Sequence, residues 1–435
     1  MSRVPQINVG LFGLGTVGSR VYEILEKNRD LIAQKLGFPI HVKKVCDLDP
    51  KRRAQYHLTS AMTALKPSDI LDDPEISIVV ELIGDKPGAR EVILKALGLG
   101  KHLVTANKAI LALHGQEIFA EAAKNEVDIL FEASVCGAIP VLRAIREGLV
   151  ADRILSIKGI INGTSNFILT GMETGRRDFT DVLAEAQKSG FAEADPTADV
   201  EGIDAAHKLT ILTALAYGQF IPFEKIYREG ISGITPFDIE MAEKFGYAIK
   251  LLAISRKSGD EIEARVHPTM IPRSHILASV RGVYNAVAIE GERFGQSLLY
   301  GLGAGGEPTA TAVVADIIQI ARNIALRVPG VPPLGVKIDA MQRGKLRTIE
   351  EIESEYYFRF TAIDKPGVFA RIASILGQNH ISISSVYQHG REEGKDVPIV
   401  VMSHRATEKN VQAALREIDK LAVVSKKTSL IRIES

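Results

Sequence analysis

Hydrophobic and polar positions change period several times along the chain. Ile7-Asn-Val-Gly-Leu-Phe12 is a short apolar run of the kind shown by a strand buried on both faces, and the spacing that follows, through Leu25, is helical. Val42 to Cys46, Ile76 to Ile83, His102 to Thr105 and Asp128 to Glu132 repeat the strand pattern, with helical patterns over Ala89 to Leu97 and Gln116 to Lys124 between them. Strands alternating with helices predict a parallel sheet covered on both faces: an α/β, Rossmann-like domain over residues 1–140.

Beyond Arg153 the alternation is lost. Ile154 to Ile161 reads as a strand, Phe179 to Ser189 and Gly202 to Ala216 as helices, and Tyr247 to Ser255, Ile262 to Met270, Val283 to Glu290 and Gln296 to Leu299 as strands. This predicts a mixed α+β domain over residues 141–330, from which a helix at 309–327 returns to the first domain. The Pro/Gly-rich run Val328 to Gly335 and the charged stretch Lys337 to Glu355 predict a linker over 331–355. Residues 356–435 then show βαββαβ order: strand Phe358 to Ile363, helix Val368 to Gln378, strands Ile381 to Val386 and Val397 to Ser403, helix Glu408 to Lys420, and strand Ser429 to Ile433.

The length of 435 residues suits three such domains, and 53 basic against 53 acidic residues leave a net charge of +0. No nucleic-acid footprint or polybasic membrane patch is expected. Met1 to Val9 lacks an apolar signal core, Leu209 to Ile221 is too short to span a bilayer, and the apolar helix after Thr311 is interrupted by Asp316, Gln319 and Arg322. Two cysteines, Cys46 and Cys136, make neither a disulfide framework nor a zinc pattern. A reducing, cytoplasmic setting without membrane partners is the expectation.

Chemistry enters at Phe12-Gly13-Leu-Gly15-Thr16-Val17-Gly18, set between the first strand and the first helix. In a dinucleotide fingerprint the first glycine permits the turn, the second lets backbone approach a pyrophosphate, and the third lets helix and strand pack closely. Asp47, at the end of the second strand, is placed for the adenosine ribose, delayed by an inserted stretch, Asn28 to Pro39. Its carboxylate favours NAD, while Lys51, Arg52 and Arg53 could hold the 2′-phosphate of NADP, so both cofactor forms stay open. A second segment, Gly190-Phe-Ala-Glu193-Ala-Asp195-Pro-Thr-Ala-Asp199-Val-Glu-Gly202-Ile-Asp204-Ala-Ala-His207-Lys208, places Asp204 and Lys208 four apart on one helix face. A lysine aimed by a carboxylate could protonate an oxygen as its carbonyl carbon receives hydride. The same spacing also describes an ordinary exposed ion pair worth about 0.2–0.5 kcal/mol. His207 projects about 100° away around the helix, toward packing or the surface.

This segment resembles the signature of homoserine dehydrogenases. The likeness extends to Thr105-Ala-Asn-Lys108, Phe131-Glu-Ala-Ser-Val-Cys-Gly-Ala-Ile-Pro140, Asn162-Gly-Thr-Ser-Asn166 and Gly303-Ala-Gly305-Gly306-Glu-Pro-Thr309. The resemblance implies reduction of aspartate 4-semialdehyde to homoserine with NADPH or NADH, in the route to threonine, methionine and isoleucine. It implies Lys208 as proton donor, Asp204 and Glu193 on the substrate, Lys108 near nicotinamide and the reacting oxygen, and Gly190 with Gly305-Gly306 around the cofactor. It also implies a sodium ion on a loop corresponding to Glu132, Val135, Gly137 and Ile139. Two departures stand out: Cys46 occupies a position where many relatives carry a phosphate-binding arginine, and Gly84-Asp85 replaces a common pair of glycines.

The C-terminal pattern, with Asp364-Lys-Pro-Gly367 at its first strand-to-helix turn, resembles an ACT domain, a ferredoxin-like module that binds amino acids. That resemblance implies an effector site at Asp364, Gly367 and Asn379, threonine as effector, and a homodimer or homotetramer. Two rivals are weighed: a thioester-forming dehydrogenase with Cys136 as nucleophile, and an amino-acid sensor that retains the nucleotide fold without catalysis.

Overall fold

A computed structural model describes residues 6–84, 86–388 and 394–434; Asp85 of the Gly84-Asp85 departure lies outside them. The chain divides into two compact units, one made of Met1–Ile157, Asp204–Glu224 and Tyr284–Gly344, the other of Lys158–Ile203, Lys225–Val283 and Lys345–Ser435.

The first unit is built on six parallel strands, β1 (Ile7–Phe12), β2 (Ile40–Cys46), β3 (Thr63–Ala64), β4 (Ile76–Glu81), β5 (His102–Thr105) and β6 (Ile129–Leu130), in the order β3-β2-β1-β4-β5-β6. Central strands made of Val, Ile and Leu satisfy a sheet covered on both faces, and Ile78, Val79 and Val80 are wholly buried. Because the order reverses between β1 and β4, a crevice opens at the carboxyl ends of those two strands, where α/β proteins of this topology bind ligands. The helix Gly306–Leu326 is long and apolar enough to span a membrane by composition. Here Ala310, Val313, Ile317 and Ile320 bury it in the same core as Val9, Leu11 and Val21, so it serves as a core helix of the nucleotide fold.

Element limits differ from the sequence reading where periodicity is weak. The helix expected from Gln116 starts at Lys108, where Asn107 Oδ1 accepts the Ile110 N–H at 3.2 Å; its first turns are apolar all round and hide the period. Arg29–Leu36, read as an insertion, is helical and buries only Ile32. Strand β4 stops at Glu81 instead of Ile83. An antiparallel hairpin, Tyr284–Gly291 with Gly295–Leu302, completes the unit.

In the second unit, Tyr247–Ser258 and Glu261–Pro272 pair antiparallel over their full length. The final strand, Val424–Ile433, pairs parallel with Glu261–Pro272 through Thr269 and Met270, and antiparallel with Glu353–Ile363. Helices Val368–Gln378 and Glu408–Ile418 bury Ile372, Leu376, Val411 and Ile418 against Phe358 and Phe360. The expected linker is partly ordered: Gln342–Arg343 pairs with Gln219–Phe220 within the first unit, Lys345–Leu346 pairs with Glu261–Ile262 in the second, and the next strand starts at Glu353. Helices Gly163–Gly175 and Pro236–Lys244, absent from the sequence reading, also belong to this unit.

Arg432, 1% exposed on the last strand, anchors this arrangement. It donates from Nη2 and Nε to both oxygens of the equally buried Glu408 (2.6 and 2.9 Å), from Nη1 to Glu229 at 2.7 Å and from Nη2 to Tyr227 at 3.0 Å. Removing one partner of a buried pair leaves an uncompensated charge, at a cost of about 3–5 kcal/mol. Arg432→Met is therefore expected to lower the unfolding midpoint of this unit in chemical denaturation, and adding Glu408→Leu should recover more than half of the loss. A single variant as stable as the wild type would contradict this.

Candidate active site

The glycine turn joins β1 to the helix Thr16–Lys27 and stands at the crevice. Gly13 adopts φ +94°, and a Cβ there would lie 2.5 Å from the Leu82 carbonyl oxygen; one at Gly18 would lie 1.9 Å from the Gly13 carbonyl oxygen. Gly15, by contrast, would meet only the Arg52 guanidinium, at 3.9 Å, which leaves room for an anion against the backbone. No side chain caps the helix that starts there, nor the one starting after Gly305, and Gly306 packs against the Thr16 carbonyl. The residues fit a dinucleotide.

Asp47 is committed to the turn. Its Oδ2 accepts the Leu14 N–H at 2.5 Å and its Oδ1 the Asp49 N–H at 2.8 Å, while Arg52 Nη1 stands 3.8 Å from Oδ2. The carboxylate thus holds the glycine loop in place. Arg52, nearly half-exposed beside Gly15, is the group open to a ligand there.

On the same edge of the sheet, at the carboxyl end of β5, Lys108 opens its helix. Lys108 Nζ lies 3.1 Å from Asp204 Oδ1, and Lys208 Nζ donates to Asp204 Oδ2 at 2.7 Å. One carboxylate therefore spans two ammonium groups. The side chains of Asp204 and Lys208 are 9% and 10% exposed, which removes the reading as a solvated helical pair. His207 turns away and stacks on Phe223 at 4.3 Å between ring centroids.

Cys136 is fully buried near this array, and burial pushes its thiol up to about 11. Almost none of it is thiolate at neutral pH, and a nucleophilic thiol needs the opposite shift. In the neighbouring loop, Glu132 accepts the N–H groups of Leu142 and Arg143, each at 2.9 Å, and the Ile139 carbonyl accepts the Val141 N–H at 2.7 Å. Among the described residues no group of three His, Cys, Asp or Glu side chains gathers to hold a metal. The oxygen-only donors of this loop match a hard cation better than a transition metal.

Gly190 (φ +75°) and Glu193 lie in the second unit, on an exposed loop. That loop is tied down by the Asn162-Gly-Thr-Ser165 turn. Thr164 Oγ1 donates to the Phe191 carbonyl at 2.7 Å, Asn162 Nδ2 to Asp199 Oδ1 at 2.7 Å, and Ser165 Oγ to the Asp199 carbonyl at 2.8 Å. In the C-terminal region Gly367 (φ +87°) caps the start of Val368–Gln378, next to Asp364, whereas Asn379 caps its far end and donates to the Ile375 carbonyl. Eleven residues of helix separate the two by about 16 Å, so one amino acid on one chain cannot touch both. This corrects the expected grouping of Asn379 with Asp364 and Gly367.

Sequence reasoning passed over Glu81 and Thr105. Glu81 was legible as the lone charge ending an apolar buried strand; its partner was not, because only folding brings β4 beside β5.

A dinucleotide cradle and a buried carboxylate shared by two lysines, one of them buried, suit a dehydrogenase that delivers hydride from a nicotinamide and a proton from a side chain. Comparison with known proteins narrows that class. Residues 13–132 match the homoserine dehydrogenase NAD-binding domain model, 140–318 the homoserine dehydrogenase model and 356–423 the ACT domain model. The chain is 46% identical over 430 residues to a homoserine dehydrogenase of Neisseria gonorrhoeae, covering 99% of each. The crystal structure of a homoserine dehydrogenase from Thiobacillus denitrificans is 45% identical, with TM-score 0.93 and 99% of both chains covered. A hyperthermophilic archaeal homoserine dehydrogenase solved in complex with NADPH is 27% identical, with TM-score 0.64, covering 75% of this chain and 99% of that one. The chain belongs to the homoserine dehydrogenase family.

The burial of Cys136 sets a direct check. Iodoacetamide at pH 7.5 is expected to leave Cys136 unmodified in the folded enzyme and to modify it readily in denaturant, as read by peptide mass mapping. Rapid modification of folded enzyme with parallel loss of turnover would restore the thioester route.

Proposed function

We propose that Lys208 is the general acid in the NAD(P)H-dependent reduction of aspartate 4-semialdehyde to homoserine, with Asp204 aiming it. The observation that carries this reading is the buried bridge of Asp204 between Lys208 and Lys108. NAD(P)H, when bound at the glycine turn, supplies the hydride. As the aldehyde carbon gains that hydride, its oxygen takes a proton from the Lys208 ammonium and becomes the homoserine hydroxyl, leaving Lys208 as the neutral amine. Lys108, 39% exposed and sharing the same carboxylate, stabilises the developing negative charge and links the pair to solvent. Asp204 and Glu193 bind the amino-acid end of the substrate.

Phe12, Gly13, Gly15, Thr16, Val17 and Gly18, with Gly190, Gly305 and Gly306, form the proposed cofactor contacts. Asp47 acts by holding the turn, and the exposure of Arg52 beside Gly15 and Asp47 supports a 2′-phosphate contact and so the reading of NADPH over NADH. A sodium ion on the oxygens of Glu132, Val135, Gly137 and Ile139 would hold that loop beside Cys136 without entering the chemistry.

The proposed division of labour is a cofactor domain over 1–140 with the returning helix, a substrate and dimerisation domain over 141–330, and a regulatory domain from 356 that binds threonine at Asp364 and Gly367. Exposed Tyr284, Tyr300 and Leu302 on one hairpin favour pairing of chains, as a dimer or tetramer. A cytoplasmic enzyme accords with two free, buried cysteines.

Lys208→Ala is expected to lower kcat by about 100-fold or more, the span of a general acid, with NADPH binding followed by fluorescence changed less than threefold. Assays with NADPH and with NADH check the cofactor preference at the same time. A Lys208→Ala enzyme with near wild-type turnover would end this reading.

A further inference from the structure

A carboxylate outside the lysine pair is built into the same edge of the sheet. Glu81, the last residue of β4, is wholly buried; Thr105, which ends β5, is equally buried, and Asn107 is nearly so. Glu81 Oε1 accepts the Ile83 N–H at 2.7 Å, and Oε2 accepts the Thr105 hydroxyl at 2.7 Å. Thr105 Oγ1 in turn accepts the Asn107 N–H at 3.0 Å. Asn107 then works in two directions: its Nδ2 donates to the Gly84 carbonyl at 2.9 Å, and its Oδ1 caps the Lys108 helix at Ile110. Leu82, next to Glu81, donates its N–H to the Phe12 carbonyl at 2.9 Å and backs the Gly13 turn.

We infer that Glu81 is a positioning residue for the reaction, holding the loop after β4 and the first turn of the Lys108 helix in one fixed relation. The inference rests on the reading of Lys108, Asp204 and Lys208 as the proton-delivering array.

The chemistry of the place supports a positional role over a merely packed one. A carboxylate with no exposed surface is costly, and among the described residues its partners are hydrogen-bond donors with no cation beside it. Burial pushes the Glu81 carboxyl above its usual range, and the bonds from Thr105 and Ile83 pull against that shift. An apolar residue would end this strand with less penalty. What the carboxylate adds is two divergent acceptors that tie the loop through Ile83 and the helix start through Thr105 and Asn107. Lys108, the next residue, places its ammonium 3.1 Å from Asp204, so slack in Asn107 passes directly to that contact. A misplacement of about 1 Å far from the chemistry can cost on the order of a hundredfold in rate.

Three single variants and one double variant test this in the full-length enzyme with NADPH and aspartate 4-semialdehyde. Glu81→Gln keeps the shape but turns one acceptor into a donor, so either the Ile83 amide or the Thr105 hydroxyl loses its partner. Thr105→Val breaks the same link from the other side, and Thr105→Ser keeps the hydroxyl. Glu81→Gln and Thr105→Val should each lower kcat roughly ten- to a hundredfold, with KM for both substrates within about threefold and a larger primary isotope effect from deuterated NADPH. Thr105→Ser should stay within about twofold of wild type, and the double variant Glu81→Gln/Thr105→Val should lose no more than the worse single one. If Glu81→Gln does not fold, the contrast between Thr105→Val and Thr105→Ser decides alone. Wild-type kcat and isotope effect in Glu81→Gln or Thr105→Val, equal losses in Thr105→Val and Thr105→Ser, or fully additive losses would overturn the inference. Where those results come with an inactive Lys208→Ala enzyme, only the role of Glu81 fails; an active Lys208→Ala enzyme removes the array on which it rests.

Discussion

A single carboxylate placed between two ammonium groups is the constraint around which the first unit is organised. Asp204 meets Lys208 along its own helix and Lys108 from another, so it joins two segments nearly a hundred residues apart in sequence. Such an arrangement costs desolvation of two charged groups, Asp204 and Lys208, and the ionic contacts offset that cost only while the carboxylate and both lysines stay in register. Stability alone does not explain keeping it in a place where apolar side chains would pack. Its geometry supports the proposed role, delivery of a proton at a fixed point on the sheet edge that carries the glycine turn.

The parallel sheet supplies the fixed frame. Strand ends at Phe12, Glu81 and Thr105 all point to one edge, and they and the loops leaving them are bonded to one another: the Leu82 N–H donates to the Phe12 carbonyl, the Thr105 hydroxyl to Glu81 and the Asn107 amide to the Gly84 carbonyl. The glycine turn and the start of the Lys108 helix are thus set against the same three strands. A rigid edge of this kind suits hydride transfer, where donor and acceptor must approach within van der Waals contact in a defined orientation. The second unit repeats the theme of buried charge at a junction: Arg432 joins the last strand to Glu408 and Glu229.

Much of this was legible in the sequence because its local signals were strong. Alternating apolar runs announced the parallel sheet, Gly13, Gly15 and Gly18 announced the turn, and the four-residue step from Asp204 to Lys208 announced their shared face. Periodicity failed where helices are apolar all round, as at Ala109–Leu113, or expose nearly everything, as at Arg29–Leu36. Spacing could not tell whether Asp204 and Lys208 face solvent; burial decided that. Nor could it show that Asp47 spends both oxygens on the backbone, or that Asn379 stands a helix length from Gly367. Those facts depend on which strand lies beside which and where a helix ends.

The most direct test of the central bridge is the rate of hydride transfer in a single turnover with Asp204→Asn, followed by loss of NADPH absorbance after rapid mixing with aspartate 4-semialdehyde. With the shared negative charge gone, that rate is expected to fall by about 100-fold or more at saturating substrate, while NADPH still binds. A rate within twofold of the wild type would show that the carboxylate between the two lysines does not govern the chemistry.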